Sequence, residues 1–288
     1  MREPRIGIVI PCFNGWNYTK DCISSILYSK YENFKIFIVD DGSTDNTRDE
    51  ILTNYSDIDL ISGDGNYWWS KSMNKGILRA IEYGAEFILI LNNDVVICNN
   101  TISTLLECAE QNPDAIIGSL VYNKADKNII WSAGGNVSWP WPGEIQLGMN
   151  EFDDSQYKGI RSVNWTPGMG TLIRTSTLQK LSYFDDVNMP QYLSDVDLCL
   201  RAKKMGFRIL INSESKIYNN VENTGGISDK TKTFNFKIIG EMFTSYRSPD
   251  YFKARLTFIS RHCPRHLLII AILFRYLRLL IFISKRII

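Results

Sequence analysis

In FILILNNDVVI, residues 87–97, five apolar residues run without alternation into Asn92-Asn93-Asp94, and a second apolar run follows. An unbroken run of this kind reads as a strand buried on both faces of a sheet. In an open α/β sheet the carboxyl ends of parallel strands open into the ligand crevice. Two amides and a carboxylate placed there can grip ribose hydroxyls and a divalent cation that holds a diphosphate, because Mg²⁺ and Mn²⁺ prefer oxygen ligands. The same triplet also builds a tight turn unaided. Taken alone it reads as that turn, so a ligand role needs support from elsewhere in the chain.

The flanking sequence supplies a frame. RIGIVI (5–10) is a β-branched strand closed by Pro11, and a helix follows from Asn17 with Cys22, Ile23, Ile26 and Leu27 on one face. FKIFIV (34–39) repeats the strand and runs into DDGSTD (40–45). There Gly42 permits a tight turn, and Ser43, Thr44 or Asp45 can cap a helix ending near Asn54. A weak strand at 59–62 leads to a helix over 70–83, with Met73, Ile77, Ala80 and Ile81 as its inner stripe. After FILIL, Asn99 or Asn100 caps a helix to Gln111, and a strand occupies 115–122. Strands alternating with helices predict a mostly parallel, doubly wound sheet. Residues 123–160 lose periodicity and gain Gly134, Gly135, Pro140, Pro142, Gly143 and three tryptophans, which reads as a loop-rich lobe. Beyond it the pattern gives short ordered segments at 162–165, 171–174 and 176–181, a helix over 195–205 and a strand over 207–211.

The chain has 288 residues, 44% of them hydrophobic, enough for one large domain with an appendage. Its net charge of +1 hides an asymmetry. Residues 251–288 carry eight Lys/Arg and no Asp or Glu, which leaves −7 on residues 1–250. An acidic body argues against nucleic-acid binding, whereas the basic end suits an anionic surface. The six cysteines are scattered, with no CxxC pair and no leader ahead of the first strand, so a reduced, cytoplasmic chain is expected. Both histidines, His262 and His266, lie after residue 250, which removes His-centred triads and most zinc sites from the body.

Further segments could meet Asn92-Asn93-Asp94. The 11–15 loop, with Pro11 and Phe13, and Asp40-Asp41 follow the first two strands and so reach the same sheet edge. A carboxylate there can accept from a base N–H or ribose hydroxyls; Asp41 or Asp40 fills that role, unless both merely build the turn. DGNYWWSKSMN (64–74) offers Trp68 and Trp69 to stack on a base or sugar, Lys71 to neutralise phosphate, and Asn74. Either Trp serves equally well as core, and Lys71 as a solvated lysine. In YLSDVDLCLR (192–201), Asp195 and Asp197 open a helix, whose amides favour ionised carboxylates. Such a low-pKa carboxylate is a poor equilibrium base, but it can take a proton late, once a hydroxyl has begun to bond to an oxocarbenium-like carbon.

Six stretches, IVIPCFNG, VDDGSTDNT, GDGNYWWSKSMNKGI, LILNNDVVI, VNWTPGMGTLIR and YLSDVDLCLRAKKMGFRI, stand in one order over residues 5–212. Together they resemble the family 2 glycosyltransferases of the GT-A fold, in the bacterial branch that includes rhamnosyltransferase-like enzymes of cell-surface polysaccharide synthesis, such as O-antigen or capsule. The resemblance implies a Rossmann-like GT-A domain over 1–250, with a donor half to about residue 120 and an acceptor half after it. Asn92-Asn93-Asp94 then stands at the family's DxD motif, with Asp94 as the carboxylate matched to a Mg²⁺ or Mn²⁺ ligand and Asn92 and Asn93 toward the donor. Asp41 contacts base or ribose. The 165–170 loop, with Trp165, Gly168, Met169 and Gly170, borders the acceptor together with Asp197, and Asp195 matches the general base. Two positions depart from the pattern: Asn92 replaces a carboxylate, and KIYNN (216–220) lacks the histidine that many members use to help hold the metal. Asn219 or Asn220 is the candidate oxygen donor in its place.

Residues 266–288 carry LLIIAILF and LLIFIS, split by Arg275-Tyr276-Leu277-Arg278 and followed by Lys285-Arg286. The longest uncharged run, 266–274, is far short of the roughly 20 residues a spanning helix needs, so the segment reads as an interfacial amphipathic helix on anionic headgroups. A core helix or a homodimer contact would account for it as well. The expected activity is inverting transfer of a hexosyl or rhamnosyl group from a nucleotide-diphospho-sugar to a glycan or lipid-linked saccharide, at the inner face of a bacterial membrane. A nucleotidylyltransferase would need a Gly/Arg/Lys-rich loop after the first strand, which PCFNGWN is not. A binding protein with weakened chemistry is the non-enzymatic alternative.

Overall fold

The structure, a computed structural model, describes residues 3–141, 143–221 and 236–284. Pro142, Lys285 and Arg286 therefore lie outside the described residues. Four strands form a parallel block in the order β3 (Asp59–Ser62), β2 (Phe34–Asp40), β1 (Ile6–Cys12), β4 (Phe87–Ile90). Beyond β4 the sheet becomes mixed. β12 (Thr171–Arg174) lies antiparallel between β4 and β6 (Ala115–Asn123), and β7 (Ile129–Ser132) and β10 (Glu151–Phe152) continue it outward. β13 (Arg208–Asn219) runs parallel to β6 and antiparallel to β5 (Val95–Ile97) and β11 (Ile160–Ser162).

The apolar strands explain the layering, since every residue of β4 and all but the last of β6 are buried. One core lies against α1 (Trp16–Leu27), α2 (Thr47–Asn54) and α4 (Thr101–Gln111). The other lies against α3 (Trp68–Glu82), α5 (Thr175–Lys180) and α6 (Ser194–Lys204). Helices on both faces make a doubly wound α/β sheet.

The structure differs from the sequence reading in four places. Leu27, assigned to the inner face of α1, is exposed at the helix's last position. The strand read at 207–211 extends to Asn219, because its polar residues Asn212, Ser213 and Ser215 are buried against Thr104, Gly159 and Ser119. The 123–160 lobe is not merely loops: besides β7 and β10 it holds a hairpin of β8 (Gly135–Ser138) and β9 (Gly143–Gln146). The tail begins as α8 (Phe252–His262), whose Ala254 and Phe258 enter the second core. It follows α7 (Phe236–Thr244) and leads to α9 (Leu268–Ser284).

Candidate active site

The crevice at the carboxyl end of β4 is built by register. β12 enters antiparallel with Thr171 opposite Ile90, so the loop before it, residues 165–170, is delivered beside the triplet that leaves β4. Gly170 N–H donates to the Ile90 carbonyl at 2.8 Å and fixes that approach. Asn93 Nδ2 donates to Thr19 Oγ1 at 3.0 Å, which ties the triplet to α1. Asn92 Oδ1 accepts from the Trp69 indole N–H at 2.9 Å. The Trp69 ring lies over Gly168, where a Cβ would fall 2.4 Å from Cζ2, and only glycine leaves room for the indole. Gly168 N–H then donates to Asp195 Oδ2 at 2.9 Å. A continuous line of contacts therefore runs from Asn92 through Trp69 and Gly168 to Asp195.

The two carboxylates at the ends of this crevice are both raised by burial. Asp94 is pushed up to about 6 by burial, and its Oδ1 has no hydrogen-bond partner. Asn219 is wholly buried with both amide atoms unpartnered. It sits opposite Val95 in the β13 to β5 ladder, and the next residue, Asn220, donates its N–H to the Asp94 carbonyl at 3.1 Å. Unpaired buried polar groups are costly, so an orphaned carboxylate oxygen at a strand end marks a place where a partner is expected. Among the described residues no three His, Cys, Asp or Glu side chains converge on a metal position, but the unpartnered Asp94 carboxylate oxygen fits a cation that takes most of its ligands from a diphosphate and water. Asp195 is likewise raised, by burial, against the pull of the Val196 and Gly168 amides. The low pKa expected from the helix N-terminus is thus reversed: desolvation outweighs the helix amides. A carboxylate with a raised pKa is the better base near neutrality.

Several candidates serve the frame of this crevice. Asp41 accepts three backbone N–H groups, Gly65 at Oδ1 and Tyr67 and Trp68 at Oδ2, each at 2.9 Å, and so shapes the turn into α3. Asp40 is buried and holds Ser43, whose Oγ in turn accepts the Asn14 N–H. Asn74 clamps Phe184 from α3, donating to its carbonyl and accepting its N–H. Lys71 sits over the Tyr67 ring at 4.2 Å. Trp165 and Met169 are core residues, Pro11 pairs with Val39 in the sheet, and Phe13 is exposed at the tip of its loop. Asp197 is wholly buried. Its Oδ2 accepts Arg201 Nε at 2.7 Å and its Oδ1 accepts Arg261 Nη1 and His262 Nε2 at 2.8 Å. Burial would raise it, but His262, Arg201 and Arg261 hold it at about 2. Sequence reading missed Gln191, whose Oε1 accepts the Trp69 N–H, and Gly168's steric role, which becomes visible only once Trp69 is placed over it.

Residues 7–186 match the sequence profile of Glycosyl transferase family 2. The chain belongs to that family. The matched span contains the crevice from β1 to the 165–170 loop and stops short of Asp195. Among curated relatives, Glycosyltransferase GlyG of Streptococcus pneumoniae is 30% identical over 135 residues, covering 45% of this chain and 44% of that protein. A poly-beta-1,6-N-acetyl-D-glucosamine synthase of Staphylococcus epidermidis is 26% identical over 183 residues, covering 62% of this chain and 42% of that protein. The chain thus spans less than half the length of these relatives. Among solved structures, GalNAc-T7 with UDP, GalNAc and Mn²⁺ aligns at a TM-score of 0.63 and 11% identity, covering 83% of this chain and 47% of that one. S. aureus TarS 1-349 in complex with UDP-GlcNAc aligns at 0.52 and 16%, covering 78% and 63%. At these identities the likeness is one of fold, and the fold is that of the GT-A glycosyltransferases.

Proposed function

We propose that this family 2 chain is an inverting glycosyltransferase that moves a hexosyl or rhamnosyl group from a nucleotide-diphospho-sugar to a hydroxyl of a glycan or lipid-linked saccharide. The observation that carries this reading is the contact line from Asn92 through Trp69 and Gly168 to Asp195. It brings the amides that leave β4 and a carboxylate of raised pKa to one crevice. Asp195 accepts the proton of the acceptor hydroxyl as it attacks the anomeric carbon. The Gly168 N–H orients its Oδ2, which keeps Oδ1 toward Val196 N–H at 2.9 Å. Asp94 would hold Mg²⁺ or Mn²⁺, which when bound neutralises charge developing on the leaving diphosphate. The bound UDP, UDP-GlcNAc and Mn²⁺ of the structural neighbours support a nucleotide-sugar donor and a divalent ion, and the poly-GlcNAc synthase supports a surface polysaccharide as product.

The C-terminal helix suits a membrane-surface site for that work. Arg265–Ser284 is long and apolar enough to cross a bilayer by length and composition. The charges that split its sequence do not split its outer face. Arg275 pairs with Asp250 on the protein side and Arg278 stacks on Trp141, while Ile269, Ile270, Leu273, Phe274, Leu277, Leu280 and Ile281 form one exposed apolar stripe. A helix packed along the body by its other face lies in the interface rather than across it, which supports a peripheral site on the inner leaflet. Flotation of the full chain with anionic vesicles should be lost when Leu273 and Leu277 become Ser; retention would refute the membrane role.

The activity itself is tested by thermal shift against a panel of nucleotide-diphospho-sugars with and without Mn²⁺, followed by release of nucleoside diphosphate. One donor should raise the melting temperature only with Mn²⁺. A chain that binds a donor yet never releases diphosphate would instead be a binding protein, the reading favoured by Asn92 standing where a carboxylate is expected.

A further inference from the structure

The cluster around Asp197 does more than fill a core. Arg261, besides holding Asp197, donates Nη2 to Asp185 at 2.7 Å, and Lys204 at the far end of α6 donates to the Arg261 carbonyl at 2.6 Å. Arg201 extends from Asp197 to the Leu181 and Tyr183 carbonyls. Both ends of α6 are thus tied to the last turn of α8. Two carboxylates and two guanidiniums balance with His262 neutral, the state burial favours for it. Buried ion networks of this kind are weak stabilisers compared with apolar packing, and what they supply is fixed geometry. What is fixed here is the first turn of α6. That helix starts at Leu193 in a left-handed conformation, φ 71, with no side-chain cap, so its own sequence does little to hold its beginning in place. Asp195 stands in that turn.

We infer that Arg261 and His262 are positioning residues for Asp195, acting through Asp197, so that α8 sets where the carboxylate stands beneath Gly168. The inference rests on the role proposed for Asp195 and deepens it. Glu144, itself paired with Arg255, lies close enough to raise Asp195, the Cys199 thiol feels both Asp195 and Asp197, and Arg201, Arg261 and His262 surround Asp197. Removing Arg261 takes compensating charge from Asp197, removing His262 takes a donor from it, and either slackens the Gly168 bond. Both changes make Asp195 hold its proton more tightly.

The test uses the full chain labelled with ¹⁵N. Because the Gly168 N–H bonds the Asp195 carboxylate, its resonance followed through pH reports protonation of that group. In Arg261→Ala and His262→Ala the midpoint should move upward by about one pH unit. In His262→Gln, which keeps an N–H donor for Asp197, it should return toward the wild-type value. Ile102→Val, in the core on the opposite face of the sheet, should lower the melting temperature without moving the midpoint. If the alanine variants fail to fold, Arg261→Lys, which keeps the charge but loses the two-pronged contact, must still move it upward. A wild-type midpoint in the folded Arg261 variants overturns the inference. Undiminished transfer by Asp195→Asn with the midpoint still shifted in Arg261→Ala would instead sink the base assignment and leave the coupling intact.

Discussion

Asp197 is wholly buried and Asp94 half-buried, and their surroundings are opposites. Asp197 meets three donors, two of them guanidiniums, and is held at about 2; Asp94 has an oxygen with no partner and is pushed up to about 6. A buried charge that is fully satisfied belongs to the architecture. One left unsatisfied marks a place where a partner is expected. Asp195 lies between the extremes, bonded to two amides yet raised. That combination suits a group which must be held still and remain able to take a proton.

This contrast can be broken at each member. The largest effect is expected at Asp195: Asp195→Asn should lower the transfer rate by about 10³-fold while leaving donor binding intact, since general-base catalysis contributes on that order. Single-turnover assays beside donor titration read the two quantities apart, and undiminished turnover would remove Asp195 from the chemistry. Next comes Asp197→Ala, which strands Arg201 and Arg261 and should cost about 3–5 kcal/mol in denaturant unfolding. A loss below about 1 kcal/mol would mean the network is solvated and not part of the architecture.

The third effect is one of sign. Asp94 has a raised folded pKa, so the folded state binds its proton more tightly than the unfolded chain. Its contribution to stability is greatest below pH 4 and disappears as pH climbs toward 6, about 2–3 kcal/mol in all. Asp197 has a depressed folded pKa, so its contribution is present above pH 4 and is lost as pH falls toward 2. Asp94→Asn should therefore flatten the upper limb of a stability profile taken without metal, and Asp197→Asn the acid limb. Identical profiles for the two variants would erase the distinction. The smallest change is Trp69→Phe, which loses the indole bond to Asn92, worth about 1 kcal/mol, and the part of the ring that lies over Gly168, and should raise the donor Kd several-fold with Mn²⁺ present.

The sequence showed the parallel half of the fold well and the network hardly at all. β1, β2, β4 and β6 announce themselves as apolar runs, and α3 by its stripe of Met73, Ile77 and Ala80, because burial against a sheet writes a local period into the chain. The antiparallel pieces β7 to β11 are two to four residues long and draw their stability from partners far along the chain, so no local pattern marks them. Asp195 was singled out by its place in a helix start and by the family resemblance. Its raised pKa was not, since desolvation depends on which side chains close over it. Asp197 was read as lining the acceptor because its partners, 64 and 65 residues later, sit in a stretch whose charge looked like a membrane-facing end. Asp41 looked like a ligand contact, and the amides that occupy both its oxygens come from a turn 24 to 27 residues away.

The indole lying over Gly168 also has an evolutionary consequence. Since even a methyl group at 168 would stand 2.4 Å from Trp69, Gly168 cannot gain a side chain while Trp69 stays. Relatives with a side chain at the first should carry a smaller ring, or none, at the second. The two should therefore vary as a linked pair, and changing them together offers a direct way to reshape the wall of the crevice between Asn92 and Asp195.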